Sequence, residues 1–508
     1  MKQAMTTCDV RRRSRRGVVA ALEDEPPTAT DSLRIDVTRT GEAAPASARL
    51  VDVCLRFGVP MTSHVTSLSG DVPRPVQPGS ITLITGASGS GKSTVLHAMA
   101  QHLPTSRFVH KVPFPDDVAV VDAVAVTESL GAALGVLTAC GVGEPMLWAR
   151  RFSQLSDGER FRVQLARAVG MVRREARRAR RCAIETGTPV EIAPLLCDEF
   201  GAVMHRRLAK SVAVALQKFV RSEGLSLGVA TSHDDIERDL QPDHVIEMRH
   251  GEPTVRSLSV RPKQSFSLLR RLRIERGSLR DYAAFAPMHY RQRDNPGFID
   301  KVFVCREGVD GPVLGLVMYG RPSLELALRN RATCKRFSKN AARLNRELRV
   351  LKRLVVHPDL RGCGIGHWLV RRTLPLVGTR FVECLAAMGL VNPVFERAGM
   401  RCVGVVEAPA ERERSVRAVT RLGANPLAAD FVTQVCRRPT VRRIVTDAVR
   451  NWYEGTTCCG ESRVQRQSPT FLAHTFRQLA GSQPVYYLWS RDERGWALID
   501  RGQSEMID

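Results

Sequence analysis

Apolar residues occur along the chain in short continuous runs that alternate with longer stretches of helical spacing, a pattern typical of α/β proteins. The run SITLIT (80–85) predicts a buried strand, and STVLHAMAQHL (93–103) predicts the helix that follows it. The apolar lead-in to LLCDE (195–199) and the segment VATSHDD (229–235) predict two further buried strands. In the second half, ELRVLKRLVVHPD predicts a strand, followed by a glycine-rich turn and a helix that begins near Gly366.

The last hundred residues have a weaker pattern. ADFVTQVC and TVRRIVTDAVRNWYEG have helical spacing, whereas VYYLW and GWALI on either side of SRDERG predict a hairpin. No internal repeat is found.

Length and composition allow several cores. The chain has 508 residues, 43% of them hydrophobic, enough for two or three domains of ordinary size. No stretch approaches the roughly 18 uninterrupted apolar residues of a membrane span, so no membrane association is expected. The 13 cysteines show no CxxC pair and no zinc-like Cys/His cluster, which favours reduced thiols in the cytoplasm.

The chain is strongly basic, both overall and in local groups of arginines. The segment RRRSRRGVVAALEDE near the start faintly resembles a twin-arginine signal, but its apolar run is too short for one. Residues 1–35 are therefore predicted to form a flexible basic arm. The net charge of +24 fits nucleic acid, acidic proteins or anionic cofactors as partners, or only a solvated basic face. A dense group of arginines predicts an exposed extension of one helix, either a phosphate-backbone contact or a solvated surface: Arg173, Arg174, Arg177, Arg178, Arg180 and Arg181.

The segment GASGSGKS matches GxxxxGK[ST] between a predicted strand and a predicted helix, the context that a phosphate-binding loop requires. Its glycines let backbone N–H groups turn toward a β-phosphate, Lys92 reaches the β/γ oxygens, and Ser93 can ligate Mg²⁺. The predicted nucleotide-binding residues are Gly86, Ser88, Gly89, Ser90, Gly91, Lys92, Ser93 and Thr94.

Three downstream segments follow this loop in a fixed order: LSDGE (155–159), LLCDE (195–199) and VATSHDD (229–235). Together they resemble the signature, Walker B and switch-histidine motifs of the ABC ATPase family. The resemblance implies ATP and Mg²⁺ as ligands, with Asp198 at the metal, Glu199 polarising the attacking water and His233 sensing the γ-phosphate. It also implies an ATP-dependent homodimer in which Ser156 and Gly158 complete the site of the opposite subunit. Ser156 with Glu159 is equally suited to a helix capping box.

Two departures from that family bear on rate and coupling. No glutamine between Thr94 and Gln154 matches the Q-loop, and His205 stands where a D-loop aspartate is usual. Phe57 is considered as an adenine-stacking residue, with a core position as the alternative.

A second glycine-rich turn, RGCGIG, has glycines at 362, 364 and 366, a spacing that does not fit the GxGxxG dinucleotide fingerprint. RxxGxG after a VxP strand instead resembles motif A of the GNAT acyltransferases, and NPVFERAGM resembles the close of that family's pattern. The resemblance implies acetyl-CoA or another acyl-CoA as ligand. The residues that it implies for binding are Arg361, Gly362, Gly364 and Gly366 at the pyrophosphate, Val355 and Val356 along the pantetheine arm, and Asn392 near the acyl end.

The resemblance leaves the acid and base of the transfer open. Phe395 stands where many members of the family have the tyrosine that protonates the leaving thiolate. Glu347, Glu383 and His289 are weak candidates for the base, and His289 and Tyr290 are candidates for substrate contacts. An isolated carboxylate or histidine is also explained by an ordinary structural or surface role.

The predicted fold is α/β: a P-loop ABC ATPase domain (36–260), an α+β GNAT domain (268–410) and a small α+β C-terminal region (411–508). This order also resembles proteins in which an ABC-type ATPase is fused to a predicted acetyltransferase. Three functions follow: ATP-dependent N-acyl transfer to a nucleic-acid base or nucleoside, acetylation of a protein or small molecule under control of an ATPase dimerisation module, or nucleic-acid binding by an ATPase with a non-catalytic GNAT fold.

Overall fold

A computed structural model describes residues 32–41, 44–61, 64–124, 128–187, 192–249, 252–258, 265–289, 297–406, 410–454, 464, 467–480 and 483–505. Its strands are β1 (Ser32–Gly41), β2 (His64–Pro73), β3 (Ile81–Gly86), β4 (Arg107–Phe108), β5 (Leu195–Cys197), β6 (Leu227–Thr231), β7 (His244–Arg249), β8 (Glu252–Ser257), β9 (Leu272–Arg276), β10 (Ile299–Glu307), β11 (Val313–Gly320), β12 (Leu348–Val356), β13 (Phe381–Ala386), β14 (Arg401–Val405) and β15 (Val485–Ser490).

Its α-helices are α1 (Ala48–Phe57), α2 (Lys92–His102), α3 (Val120–Val124), α4 (Leu130–Ala139), α5 (Pro145–Trp148), α6 (Asp157–Thr186), α7 (Arg206–Glu223), α8 (Glu237–Leu240), α9 (Leu279–Phe285), α10 (Ala327–Ala332), α11 (Ala341–Glu347), α12 (Ile365–Thr373), α13 (Val394–Arg397), α14 (Ala410–Arg421), α15 (Phe431–Arg437), α16 (Pro439–Glu454), α17 (Pro469–Ala480) and α18 (Glu493–Ser504). We call residues 32–258 the N-terminal unit and residues 265–505 the C-terminal unit.

The N-terminal unit is built on a six-stranded sheet with the order β4-β5-β6-β3-β7-β8. The strands from β4 to β7 are parallel, and β8 pairs antiparallel to β7 at the edge. In β3, Ile81 and Leu83 join the core under α6 and α7, whereas Ile84 joins the core under α2 on the other face. This burial on both faces explains why the predicted strand is continuously apolar.

A two-stranded antiparallel sheet, β1 with β2, covers α2. It begins at Ser32, inside the range predicted to be a flexible arm, because Leu33, Ile35 and Val37 alternate with polar residues and turn toward the core. Residues 1–31 lie outside the described residues. Phe57 ends α1 rather than standing on a strand, and it is 75% exposed, so nothing in its surroundings supports the adenine-stacking prediction.

The C-terminal unit is built on a seven-stranded sheet with the order β9-β10-β11-β12-β13-β15-β14. Strands β9 to β12 form an antiparallel meander, β12 and β13 are parallel, and β15 is antiparallel to both of its neighbours. Helix α12 packs on one face through Ile365, Leu369 and Val370, and α10 and α18 pack on the other face through Leu328 and Ile499.

The predicted C-terminal region (411–508) is divided between a separate helical core and the seven-stranded sheet. Helices α14 to α17 form a core of their own around Val419, Phe431, Val445 and Phe476, as the predicted helical spacing requires. The chain then returns as β15, which lies between β13 and β14. The last strand of the protein therefore belongs to the sheet of the predicted GNAT domain.

The predicted hairpin of VYYLW with GWALI is wrong. The first segment is β15, but the second lies in α18, whose first turn is capped by Asp492: its carboxylate accepts from the Gly495 N–H at 2.7 Å. Ile499 on this helix is fully buried. The N-cap and one-sided burial favour the helix over a second strand.

The two units share an interface. Val214 of α7 packs into the core of the seven-stranded sheet, and Arg207 pairs with Glu307 of β10 at 3.2 Å. Ser267, just beyond the junction, donates through its N–H and its hydroxyl to the buried carboxylate of Asp239 at 2.8 and 2.6 Å. These contacts fix the two units against each other.

Candidate functional site

The parallel sheet of the N-terminal unit gathers the predicted nucleotide-binding residues at one edge. β3, β6 and β5 are adjacent in that order, so their carboxyl ends place the phosphate loop, His233 and the pair Asp198–Glu199 side by side. This is the edge at which open α/β sheets bind ligands. The structure therefore brings together three motifs that are spread between residues 86 and 233 of the sequence.

The phosphate loop runs from the end of β3 to the start of α2. Gly86 has φ +146°, and a Cβ there would lie 2.6 Å from the Met248 carbonyl oxygen, so only glycine fits. Gly89 and Gly91 also have positive φ, with Gly91 at the N-cap of α2. Lys92 Nζ donates to the carbonyls of Gly86 and Ala87 at 3.0 and 2.6 Å, which holds the ammonium over the loop. Backbone N–H groups of this kind at a helix start attract phosphate.

Glu199 adopts a left-handed backbone, with φ +52°, directly after the strand that ends at Cys197. Its N–H donates to Asp198 Oδ1 at 3.0 Å, and its side chain is exposed. A non-glycine residue in this region carries strain that is common at functional sites. The His233 N–H donates to Thr231 Oγ1 at 3.1 Å, and its ring lies 3.9 Å from the position of a Cβ on Gly201, just beyond Glu199.

His110 joins this edge, although the sequence analysis did not single it out. It follows the two-residue strand β4, next to β5, and burial lowers its pKa, with further lowering by Lys111 and His97 and an opposing effect of the Asp198 carboxylate. His110 therefore lies within electrostatic range of the predicted metal ligand. The signal in the sequence is its place directly after a short strand.

The predicted signature residues stand at the start of α6. Ser156 forms the expected capping box: its N–H donates to Glu159 Oε2 at 2.8 Å and its hydroxyl lies 2.9 Å from the same oxygen. Gly158 packs against the backbone of the segment after Glu199, since a Cβ there would lie 2.9 Å from the Val203 carbonyl oxygen. Ser156 itself is exposed at the helix N-terminus.

The arginine-rich part of α6 is less open than predicted. Arg173 is buried between Glu128 and Glu223, at 2.5 and 3.1 Å, and lies over the ring of Phe219. Arg177 pairs with the same two carboxylates, and Arg180 donates to the Gly224 carbonyl. The prediction of an exposed helix is thus wrong for Arg173, because two acidic side chains compensate its charge in the core. Four arginines remain exposed along the helix: Arg174, Arg177, Arg178 and Arg181.

In the C-terminal unit, β12 and β13 pair only at their beginnings. The parallel register covers Leu348–Leu351 with Phe381–Cys384, whereas Val355 and Val356 continue to pair with β11 alone. The two central strands therefore diverge toward the glycine-rich turn. Gly366 stands at this divergence, where a Cβ would lie 3.3 Å from Val394 and 3.8 Å from Val356.

The glycine-rich turn has the backbone that a helix-start anion site needs. Gly362 and Gly364 have φ of +88° and +103°, and Gly364 is the N-cap of α12. The helix therefore begins at Ile365, one residue before the predicted start at Gly366. His367 covers Gly364, with Cε1 2.9 Å from the position of a Cβ there, and burial lowers the pKa of His367.

Arg361 has a different role from the predicted one in this arrangement. Its guanidinium donates to the carbonyls of Val356, Gly143 and Met288 at 3.1, 3.3 and 2.6 Å. Gly143 belongs to the N-terminal unit, so Arg361 ties the turn to both units. Burial lowers the pKa of this guanidinium. The neighbouring Gly362 contacts the end of α4, since a Cβ there would lie 2.5 Å from the Thr138 carbonyl oxygen.

Neither of the two carboxylates predicted as a base is open to a substrate. Glu383 is buried between Arg329, at 3.1 Å, and the hydroxyl of Tyr486, which donates at 2.9 Å. Burial raises the pKa of Glu383, and Arg329 opposes the shift. Glu347 accepts two hydrogen bonds from Arg336 at 2.9 and 3.2 Å. Glu383 links β13 to α10 and β15, whereas Glu347 at the end of α11 pairs with the turn after α10, so both carboxylates have the structural role that was the alternative.

The other predicted residues of this unit lie around the diverging strands. Asn392 is exposed in the turn after β13, and His289 follows Met288, whose carbonyl accepts from Arg361. Tyr290 lies outside the described residues. Phe395 is buried against Tyr487 of β15, with ring centroids 5.5 Å apart, and the Tyr487 hydroxyl donates to Glu396 at 3.1 Å. A tyrosine therefore stands beside Phe395, contributed by a strand that the sequence analysis had not placed in this sheet.

The described part of the chain contains no helix with the length and apolar character of a membrane span, and no group of three or more His, Cys, Asp or Glu side chains placed to hold a metal ion. The cysteines placed in it are free thiols.

The comparisons with known proteins give structural likeness over less than half of the chain. No family profile matches, and no curated protein matches. The dimeric structure of MJ0796, a bacterial ABC transporter cassette, is 16% identical with a TM-score of 0.31 and covers 45% of this chain and 99% of its own. CbiO1 from Clostridium perfringens, part of the ABC transporter complex CbiONQ, is 15% identical with a TM-score of 0.27 and covers 44% and 88%. Likeness at this level carries no argument about activity.

Proposed function

We propose that the chain is an ABC-type ATPase joined to an acyl-CoA-dependent N-acyltransferase that modifies a nucleic-acid base or nucleoside. The observation that carries the ATPase half is the single sheet edge shared by the phosphate loop, Asp198–Glu199 and His233. The observation that carries the acyltransferase half is the divergence of β12 and β13 over a glycine-rich helix start. Each is an opening lined by main-chain groups beside a site for a phosphorylated ligand.

The residues at the first edge fit a magnesium nucleotide. Ser93 offers an exposed hydroxyl one residue after Lys92, and Asp198 offers a carboxylate at the end of β5. When bound, Mg²⁺ neutralises phosphate charge. In this proposal Glu199 accepts hydrogen bonds from the attacking water, Lys92 moves from the loop carbonyls to the β/γ oxygens, and His233 contacts the γ-phosphate. The exposed Ser156 at the N-terminus of α6 faces the nucleotide of a second copy of the chain.

The chemistry proposed for the C-terminal unit is direct aminolysis of a thioester. An amine nitrogen forms a bond to the acyl carbon, the C–S bond breaks, the nitrogen loses a proton and the thiolate gains one. Main-chain groups of Val355 and Val356, left without a strand partner on the β13 side, support an extended pantetheine arm. Phe395 has no proton to give, so the thiolate takes its proton from another group or from water.

The positive charge of the chain supports a nucleic-acid acceptor. The net charge of +24 and the exposed arginines of α6 favour a polyanion, and an ATP-driven conformational change would supply the few kcal/mol that unstacking a base costs. Acylation of a protein or small molecule is the second candidate, favoured by the ion pairs that engage Arg173 and Arg177.

The ATPase half is tested with Glu199→Gln. We expect hydrolysis to fall by at least about 100-fold while ATP binding persists, because only the group that positions the water is lost. ATP should then hold the variant as a dimer, measured by light scattering with ATP and with ADP. Glu185→Gln, at the exposed end of α6, is the matched control. Hydrolysis at the wild-type rate by Glu199→Gln would contradict the role of Glu199. A variant that stays monomeric with ATP would contradict a nucleotide site shared between two copies of the chain.

The acyltransferase half is tested by incubating the full chain with labelled acetyl-CoA, ATP and DNA, RNA or total protein. The proposal predicts label in nucleic acid and dependence on ATP. Label that appears in protein alone, irrespective of ATP, supports the second candidate. Binding of acetyl-CoA without transfer to any acceptor supports a non-catalytic fold.

A further inference from the structure

A cavity of about 660 Å³ lies where the two units meet. Leu134 and Trp148 of the N-terminal unit form one wall, Met388 and Val391 after β13 form another, and Arg412 and Val416 of α14 close it. We call it the seam cavity. Its size falls within the roughly 300–1,000 Å³ of small-molecule sites, and such sites often lie between domains.

The walls suit a flat ring. Trp148 is held in place because its Nε1–H donates to the Val142 carbonyl at 2.7 Å, which leaves the indole as a fixed wall of the cavity. Met388 adds a polarisable side chain from the opposite unit. Apolar and aromatic walls of this kind are the surfaces on which unstacked bases are held.

One side of the cavity is cationic. Arg412 and Arg417 line it from α14, and Glu413 between them is 4.0 Å from Arg417 in an exposed pair. Burial at the cavity wall lowers the pKa of Arg412. An uncharged aliphatic ligand would gain nothing from these guanidinium groups, whereas a phosphodiester beside a bound base would.

The cavity adjoins the predicted transfer site. Val391 in its wall immediately precedes Asn392, the residue that the sequence places near the acyl end. Gly131 of α4 reaches the same wall, since a Cβ there would lie 3.9 Å from Val391. A ligand in the cavity would thus touch the ATPase unit and the acyltransferase unit at once.

We infer that the seam cavity receives one unstacked base of the acceptor nucleic acid, with the ring against Trp148 and the backbone phosphate at Arg412 and Arg417. This inference rests on the proposed function, because it assigns the acceptor to that reaction. The acceptor site is then lined by residues of both units, so movement of α4 and α5 would change its shape.

The test measures base binding alone, without acetyl-CoA. A short single-stranded oligonucleotide with one 2-aminopurine, as DNA and as RNA, is titrated with the full chain, and quenching of 2-aminopurine reports stacking. Leu390→Trp fills the cavity from an exposed position, and Trp148→Leu removes the ring. Each should weaken binding of at least one oligonucleotide by about fivefold or more, the lower end for loss of a stacking contact.

Arg412→Gln should weaken binding and lower the dependence of log affinity on log salt by about one contact. Arg414→Gln, on the exposed side of the same helix and outside the cavity wall, is the matched control and should change neither the quenching nor the local contacts of the base. Circular dichroism of each variant establishes that the fold is kept.

Quenching and affinity that are unchanged in both Leu390→Trp and Trp148→Leu would overturn the inference. So would displacement of the base by free coenzyme A together with loss of coenzyme A binding in Leu390→Trp, since the cavity would then hold the adenosine of the cofactor. Failure of the proposed function has a different signature: base binding that depends on the cavity, with no transfer of label to nucleic acid.

Discussion

The contact between Gly362 and α4 predicts that Gly362→Ala destabilises the interface of the two units. The added methyl group would lie 2.5 Å from the Thr138 carbonyl oxygen and 2.9 Å from its Cγ2, both in the N-terminal unit. Real Cβ atoms do not approach backbone oxygen so closely, so α4 or the glycine-rich turn has to move. The left-handed backbone at φ +88° adds strain of its own.

Gly364→Ala is the matched comparison. Its φ is +103°, so the backbone strain is similar, but the new methyl group would meet only Cε1 of His367 at 2.9 Å, the end of a side chain that can rotate. Left-handed strain costs about 1–2 kcal/mol in either variant. Overpacking against backbone adds about 1–3 kcal/mol in Gly362→Ala alone. We therefore expect Gly362→Ala to lose about 1–3 kcal/mol more than Gly364→Ala.

Urea unfolding followed by tryptophan fluorescence measures the two losses, and hydrogen exchange locates them. Gly362→Ala should accelerate exchange of the amides at the end of α4, more than two hundred residues away in sequence, and Gly364→Ala should not. Equal losses in the two variants, or unchanged exchange in α4, would refute the packing of the N-terminal unit on this turn.

Two further outcomes follow from buried and capping charges. Arg329→Met should cost about 3–5 kcal/mol in urea unfolding because it leaves the buried Glu383 carboxylate without its cationic partner, with only the Tyr486 hydroxyl donating to it. Adding Glu383→Leu should recover part of that loss; no recovery would show that the uncompensated carboxylate is not its cause. The pKa of Asp281 is lowered chiefly by the Ser278 N–H, so its stabilisation is present above the unfolded pKa of about 3.9 and is lost as pH falls through the folded pKa. Asp281→Asn should therefore cost roughly 0.3–1.5 kcal/mol at neutral pH and flatten the acid limb of stability against pH; an unchanged acid limb would contradict this.

Local sequence predicted the local elements well because their signals are local. The phosphate loop lies between β3 and α2 as GASGSGKS requires, and Ser156 with Glu159 forms the predicted capping box. The positive φ of Gly362 and Gly364 agrees with the glycine spacing of the second turn. The predicted hairpin is wrong because VYYLW and GWALI are both short apolar runs. Only the cap at Asp492 and the burial of α18 distinguish the helix from a strand.

Roles of individual side chains were decided by partners distant in sequence. Glu383 resembles a candidate base until Arg329 and Tyr486 enclose it. Arg361 resembles a phosphate ligand, but the Gly143 and Met288 carbonyls accept hydrogen bonds from its guanidinium. A single sequence gives no signal for such pairings, because burial and compensation of charge are properties of the packed core.

The sequence by itself determined the order of motifs, the two glycine-rich helix starts and the basic character of the chain, because each depends on residue type and short spacing. Only the tertiary structure decided that β15 returns between β13 and β14, that α4 packs on the second turn, and that four segments distant in sequence line the seam cavity. The physical reason is that sheet order and contacts between units depend on which apolar faces bury one another across long separations, and short-range patterns do not record that choice.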